Sequence, residues 1–533
     1  MKKIIIKLIL INLLLVSYVF SSSFENDIKG LTKNSFKQKE KIINKISSIH
    51  FSDDRLITIL SSFLDGKLFY KKADKSFVVL NKKKGNIYYT SDLLTGKKLK
   101  PMKKKMFKKI RTNNKLRSIV RFKLAELNLF SNNQKVRLTS AKNILKNVNK
   151  NSIELVSKAL HKEKDSTVLA VLLEISTIQK AKFGTHGEKI NAIKDLTTFL
   201  SPQSLQALKE ILASTKDEDM KKLIISSIDA IKSNKSFYAF VEKIFFGVSM
   251  GSVLILAAIG LAITFGVMKV INMAHGEMIM IGAYVTYTIQ QVLPNLIEYS
   301  IILAIPIAFL VSGIIGIIIE RLAIRHLYGR PLETLLATFG ISLILQQIVR
   351  TIYSPLNQEV KTPQWMSGAW EINAALSLTY NRLYIIIFAL IVFAGILLLL
   401  NKTSLGLRVR AVTQNRQMAQ AMGIKTGLID ALTFGLGSGI AGVAGVALSQ
   451  LTNVGPNLGQ AYIVDSFMVV VFGGVGNLWG TLIGAMTLGG INKFLEPVAG
   501  AVLAKVLILV FIILFIQKRP RGLFPQKGRD AQD

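Results

Sequence analysis

From Phe245 onward, apolar stretches of roughly twenty residues follow one another with short breaks between them. A helix needs ~20 apolar residues to cross a hydrocarbon layer about 30 Å thick. Spans are expected at 245–268, 273–293, 300–320, 332–353, 382–400, 427–450, 463–476, 478–496 and 501–517. Of the two between Ile463 and Glu496, one is expected to be short or re-entrant. This half of the chain is therefore read as an all-α polytopic membrane domain of about 8–10 spans.

The first half is different. Of the chain's 68 Lys and Arg, 48 precede Tyr238, with 20 of its 32 Asp and Glu. A charge of this sign raises nucleic acid as a partner, but it is spread along a Lys-rich segment without interleaved aromatic platforms. A membrane half argues further against that role, and no nucleic-acid partner is expected. There is no cysteine, which excludes disulfides, iron–sulfur ligation and thiol catalysis. The start, "MKKIIIKLILINLLLVSYVFSSS", has a basic end, an apolar run and small residues, the pattern of a secretory signal. The expected organisation is a signal at 1–23, an extracytoplasmic domain at 24–236, the membrane domain at 237–517 and a basic tail at 518–533.

The extracytoplasmic segment reads as mainly helical. Between Asp65 and Leu99, alternation around Phe77, Val79, Ile87 and Tyr89, with Gly85 and Gly96 at turns, suits a small β-hairpin. Beyond it "RLTSAKNI" from Arg137 matches "KINAIKDL" from Lys189, and "LVSKALHKEKDSTVLAVLLEI" from Leu155 matches "ALKEILASTKDEDMKKLIISS" from Ala207. The offset is 52 residues. Each copy reads as helix, loop, helix, and such units stack to bury their faces, as in HEAT-like repeats.

Short-loop charges give an orientation. "ERLAIRHLYGRP" (Glu320 to Pro331), the segment Asn401 to Lys425 and the tail are basic, whereas "VGPNLGQAY" is not. The positive-inside rule puts the basic loops in the cytoplasm. Small residues crowd two spans, "GLGSGIAGVAG" (Gly435 to Gly445) and "GGVGNLWGTLIGAMTLGG" (Gly473 to Gly490). Lacking a preceding strand and a suitably spaced acid, the first is no dinucleotide fingerprint; Gly435 and Gly439 instead suit close helix packing. No Walker A sequence occurs.

"INMAHGEMIMIGAY" (Ile271 to Tyr284) sets Asn272, His275 and Glu277 among apolar residues. Ionisable groups inside a bilayer are costly and mark function or specific bonding. At 100° per residue His275 and Glu277 project about 200° apart, so they cannot jointly grip one ion, and the second histidine of a zinc-protease helix is missing. No catalytic or metal-ligating set is expected. Two roles stay open: helix-start capping and inter-span bonding, or lining a pathway. Thr338, Gln346 and Gln347 join these three as candidate lining groups.

Several motifs together carry a family likeness. "GLAITFGVMKVINMAHGEMIMIGAY" (Gly260 to Tyr284) resembles the signature of bacterial ABC-transporter permeases of the branched-chain amino acid type. "SLGLRVRAVTQNRQMAQAMGI" (Ser404 to Ile424) is similar to the loop by which such permeases engage their ATPases. "FGGVGNLWGTLIGA" (Phe472 to Ala485) and "RPRGLFP" (Arg519 to Pro525) fit as well. The extension, with "DGKLFYKKAD", "DLLTGKKL" and helical repeats, is similar to the urea-transporting members. Their "RLTSA"-like repeats are usually richer in Ala than these.

The resemblance implies a subunit of an ATP-driven importer in the inner membrane, working with a second homologous permease, two ATPase subunits and a periplasmic solute-binding protein. This chain would bind no cofactor; ATP and Mg would be used by its partners. The solute implied is urea, with branched-chain amino acids or short-chain amides as alternatives. A membrane-anchored periplasmic scaffold or sensor is the alternative of another class. The ATPase-coupling loop would use Gly406, Arg408, Arg410, Ala411, Asn415, Ala419 and Gly423, as a short amphipathic helix with Val412, Ala419 and Met422 roughly on one face.

Overall fold

The structure is a computed structural model and describes residues 24–525 except 25, 34, 51 and 52. The expected signal, 1–23, and the tail residues 526–533 lie outside the described residues. The chain divides into two compact units, Met1–Asn234 and Lys235–Asp533.

The first unit opens with α1 (Phe36–Ile49) and α2 (Asp54–Leu64), capped by Ser35 and Asp53. A sheet follows: β1 (Leu68–Lys71), β2 (Phe77–Lys84), β3 (Ile87–Asp92), β4 (Met102–Lys103) and β5 (Phe107–Lys109). All pairs are antiparallel in the order β4-β3-β2-β1-β5. The expected hairpin is β2–β3, turning at Gly85, whose φ of 56° favours glycine. The correction is that it is the middle of a five-stranded sheet. The flanking strands are too short and too Lys-rich to read as strands from alternation alone. Leu68, Phe77 and their neighbours pack against Ile43, Leu56 and Leu60 of α1 and α2 and against α3 (Asn114–Asn128).

Next come α4 (Gln134–Leu145), α5 (Ile153–Lys162), α6 (Ser166–Phe183), α7 (His186–Phe199), α8 (Pro202–Ser214) and the start of α9 (Glu218–Met268). The repeat is thus of three helices per copy, not the two expected. The third helix was hidden because α4 and α5 are joined by a short 3-10 turn at Lys150–Ser152. The offset of 52 reappears in the polar caps. Asn133 and Thr185 start α4 and α7. Asn149 and Ser201 accept from the backbone N–H of Ser152 and Ser204. Asp165 and Asp217 accept from Val168 and Met220. Inside, Ile144, Val156 and Val168 recur as Leu196, Leu208 and Met220, all buried. Side-chain capping fixes where each helix begins, so the caps set the register in which the apolar faces meet.

The second unit contains most of α9, then α10 (His275–Val292), α11 (Ser300–Leu322), α12 (Pro331–Tyr353), a hairpin β6 (Ala369–Asn373) and β7 (Leu376–Thr379), and α13 (Tyr380–Lys402). Two short helices follow, α14 (Ser404–Gln414) and α15 (Arg416–Ala421). The series ends with α16 (Thr426–Ser449), α17 (Leu458–Gly473), α18 (Leu478–Ala499) and α19 (Ala501–Lys518). Helices stand at all nine positions expected of spans. Six, α9, α11, α12, α13, α16 and α19, are long and apolar enough to cross a membrane. α17, with 16 residues, is the short one. The β6–β7 hairpin was not expected.

α16 is the hub. Its most apolar stretch is 89% buried, against 17% for α19. The glycines explain how. A Cβ on Gly437 would stand 2.7 Å from the Gly260 carbonyl of α9, and one on Gly442 2.7 Å from the Ala308 carbonyl of α11. A Cβ on Gly445 would collide with the Ile279 carbonyl of α10. Three helices thus approach one backbone, the use expected of "GLGSGIAGVAG". Gly473 and Gly480 bring α17 and α18 together in the same way.

Candidate functional site

The turn before α10 places the first of the expected residues. Lys269 has φ 53°, and the chain reverses over Ile271–Ala274. Asn272 is buried and its Oδ1 accepts from the Ala274 N–H at 3.0 Å. It therefore closes an Asx-type turn rather than capping the helix itself, since the N-cap position is Ala274. His275, fully buried, sets its Nε2 2.9 Å from the Ala257 carbonyl of α9. Glu277 turns the other way: its Oε1 accepts from Ser342 Oγ at 2.9 Å and from Gln346 Nε2 at 2.7 Å, both on α12. The two ionisable groups thus serve different helices.

α12 meets α10 along a polar stripe. Thr334, Thr338, Ser342, Gln346 and Arg350 recur every fourth residue, a stripe that winds about 40° round the helix at each step, so successive members are neighbours. Thr338 Oγ1 accepts from the Met273 N–H at 3.1 Å. Arg350 Nη2 donates to Asn457 Oδ1 at 2.8 Å. Gln347 does not join: it lies on the exposed face of α12, one residue and about 100° beyond Gln346. Ser342 belongs to the stripe and was missed. Its four-residue spacing from Thr338 and Gln346 was the available signal.

The seam continues seven residues past Glu277, two turns along the same face of α10. The Tyr284 ring lies 4.8 Å from that of Tyr353 on α12. Thr288 Oγ1 and Tyr353 Oη are 2.7 Å apart, and Tyr287 Oη donates to Gln358 at 3.2 Å. Two buried atoms on this seam have no hydrogen-bond partner, Glu277 Oε2 and Tyr284 Oη. An orphaned buried polar group is costly, and the seam carries one unmet acceptor and one unmet hydroxyl.

The expected coupling stretch folds as α14 and α15, broken at Asn415, which caps α15 by accepting from the Met418 N–H at 2.9 Å. Gly406 is buried and a Cβ there would collide with the Leu400 carbonyl. Val409, Val412 and Ala419 pack inward with Ile429 of α16. Arg408 and Arg410 are exposed, Arg410 donating to Asn401 Oδ1 at 3.1 Å. Ala411 is half-buried, and Gly423, with φ 83°, ends the element. The expected face differs at one position: Met422 is exposed while Val412 and Ala419 are buried, because α15 ends at Ala421 and Met422, its C-cap with ψ 11°, has left the helix. Leu407, Met418 and Met422 are exposed apolar side chains of this element, at 62%, 61% and 77%.

Arg416 fixes this element to the membrane helices. Its guanidinium donates to both carboxylate oxygens of Asp430 on α16, Nη1 to Oδ1 at 3.2 Å. It also lies 4.8 Å from the Tyr328 ring centre. Tyr328 Oη in turn donates to Glu320 of α11 at 3.0 Å. Asp430 and Glu320 are buried. This chain from α15 to α16 and α11 was not anticipated, although an acid four residues into an apolar span was a visible cue. Asp465 and Lys505, 3.0 Å apart on α17 and α19, are a second such pair.

These features define a polytopic helical membrane protein with a polar seam between two helices and a clamped element carrying exposed apolar side chains. The family model for the permease component of branched-chain amino acid transport systems matches residues 243–516, and the chain belongs to that family. The high-affinity branched-chain amino acid transport system permease protein BraD of Pseudomonas aeruginosa is 28% identical over 295 residues, covering 54% of this chain and 96% of BraD. LivH of Salmonella typhimurium, likewise a high-affinity branched-chain amino acid permease by name, is 30% identical over 300 residues, covering 54% and 97%. A probable LivH of Methanocaldococcus jannaschii is 29% identical over 283 residues, covering 51% and 88%. These relatives match almost end to end, so most of the first unit is additional to them. No solved structure matches the chain.

Proposed function

We propose that this chain is one permease subunit of an ATP-driven importer that carries urea into the cytoplasm through the seam between α10 and α12. The observation that carries this reading is the seam's chemistry. Its groups are mostly neutral donors and acceptors: Thr338, Ser342, Gln346, Tyr284, Thr288 and Tyr353. Urea is small, neutral and able to donate and accept at once, and such a lining suits it better than rings of charge. An orphaned Glu277 Oε2 accepts from an amide NH, and an orphaned Tyr284 hydroxyl donates to a carbonyl.

A second homologous permease completes the pathway, one of two ATPases docks on Leu407, Met418 and Met422 and the other on the second permease, and a periplasmic binding protein delivers the solute. Arg416 and Asp430 carry motion from the ATPase to α16. The chain sits in the inner membrane with its repeat-bearing, HEAT-like unit in the periplasm and its C-terminus in the cytoplasm, a reading that the basic loops support.

The names of the relatives favour a second reading, a branched-chain amino acid as solute. An amino-acid carboxylate pairs well with a cation, and Arg350, next on the same stripe, offers one: it keeps its charge and gives only one of its five N–H donors to Asn457. Uptake of labelled urea and labelled leucine, in cells with and without the gene, separates the two. Loss of urea uptake alone is expected; loss of leucine uptake alone overturns the urea assignment and leaves the permease class intact.

A further inference from the structure

Half of the net positive charge carried before Tyr238 is concentrated in one place. Between Gly66 and Asn113 there are fifteen Lys and one Arg against two acids, Asp74 and Asp92. Both acids are spent locally. Asp74 Oδ1 accepts from the backbone and hydroxyl of Ser76, and Asp92 Oδ1 from the backbone N–H groups of Leu94 and Thr95. Among the described residues, Lys67 alone of the sixteen cations forms an ion pair. The helices α4 to α8 differ, since Arg137, Lys158 and Lys182 are paired with Glu163, Glu154 and Glu210. A Lys-rich composition alone would not leave the sheet uncompensated and the helices paired.

The register gathers these charges around apolar side chains. On β2 and β3, Lys82 lies opposite Tyr89 and Lys84 opposite Ile87, and Ile87 lies opposite Lys103 on β4. Cross-strand partners share a face. Nearer the helices this same face is covered, with Phe77 and Val79 packed in the core. At the hairpin tip it is open: Ile87 and Tyr89 are 43% and 37% exposed.

We propose that this hairpin tip is a docking surface for the anionic phospholipid headgroups of the bilayer that holds the second unit. Lysines drawn to phosphate around a small apolar and aromatic centre are what an interfacial anchor requires. The lysine bias separates this occupant from an acidic protein. Protein interfaces enrich Arg and are depleted in Lys, and this sheet has the opposite composition. The tether to membrane helices raises the effective concentration of lipid at the surface.

The chain lacks cysteine, so single labels report cleanly. The full-length protein carrying Asn86→Cys with an environment-sensitive fluorophore is placed in nanodiscs of phosphatidylcholine alone or with phosphatidylglycerol, each with spin-labelled lipid as quencher. A label at Lys209→Cys, on α8, is the control. Quenching at position 86, absent at 209, is expected in the anionic discs. It should vanish at about 1 M salt, where the screening length falls to about 3 Å. Lys82→Glu, Lys84→Glu and Lys103→Glu should each lower the docked-to-free ratio by about five-fold or more, and Lys→Arg at these positions should restore it. Equal quenching in neutral and anionic discs overturns the proposal. So does protection of position 86 that appears only with an added periplasmic protein.

Discussion

Glu277 is the residue on which the seam turns. It holds Ser342 and Gln346 with one oxygen and leaves the other free. Glu277→Leu should strand both α12 donors and lower stability by about 1–3 kcal/mol. Glu277→Gln keeps an acceptor for them and should assemble normally. Thermal unfolding of the purified protein checks the first expectation, and recovery with partner subunits the second. In the first unit, Glu174 of α6 is buried and accepts from the hydroxyls of Ser201 and Ser204 on the next repeat. Burial pushes its carboxyl above the ordinary value of 4.5. The folded state then holds the proton more tightly than the unfolded one. Its contribution is present in full below pH 4.5 and lost as pH rises through the folded value. Glu174→Gln should therefore slow hydrogen exchange in α6–α8 at pH 8 and have little effect near pH 4. Asp165 behaves oppositely. Bonds from Thr167 and the Val168 backbone hold it at about 2, so its cap is present above about 4 and fails as pH falls toward 2.

At the scale of the element, glycines separate packing from mere flexibility. Gly445 faces the Ile279 carbonyl, whereas a Cβ on Gly340 of α12 meets nothing within 4 Å. Gly445→Val should abolish folded protein in detergent. Gly340→Ala should leave folding intact, with a gain of about 0.5–1 kcal/mol from helix propensity. For the coupling element, Met422→Glu should abolish co-purification of the ATPase while leaving the permease folded. Asp430→Asn should keep the ATPase bound, weaken the Arg416 clamp and lower transport per ATP hydrolysed. The helices themselves were legible because apolar runs of span length admit few alternatives. Their partners were not. Ser342 is small and easily passed over, and the helix end at Ala421 that leaves Met422 outside the buried face is set by a six-residue helix too short to read from periodicity. The sheet was legible only at its centre, where Phe77 and Val79 alternate with polar neighbours. Its outer strands are two to four residues long and rich in lysine.

At the scale of the whole molecule, the account joins a family permease to a unit that the compared relatives lack. Apolar periodicity located the membrane helices and a 52-residue offset located the repeats, yet neither says which helix faces line a route. That information is in pairings such as Glu277 with Gln346, 69 residues apart in sequence. The central claim is that solute passes between α10 and α12. The direct test places single cysteines at Ser342, on the seam, and at Leu336, on the exposed face of α12, in the fully assembled transporter. Modification by a membrane-impermeant thiol reagent is followed during ATP turnover, with and without urea or leucine. The account predicts that Ser342→Cys reacts during turnover and is protected by urea, while Leu336→Cys stays unreactive. Reaction at Leu336→Cys with none at Ser342→Cys, or protection by leucine and not by urea, would contradict it.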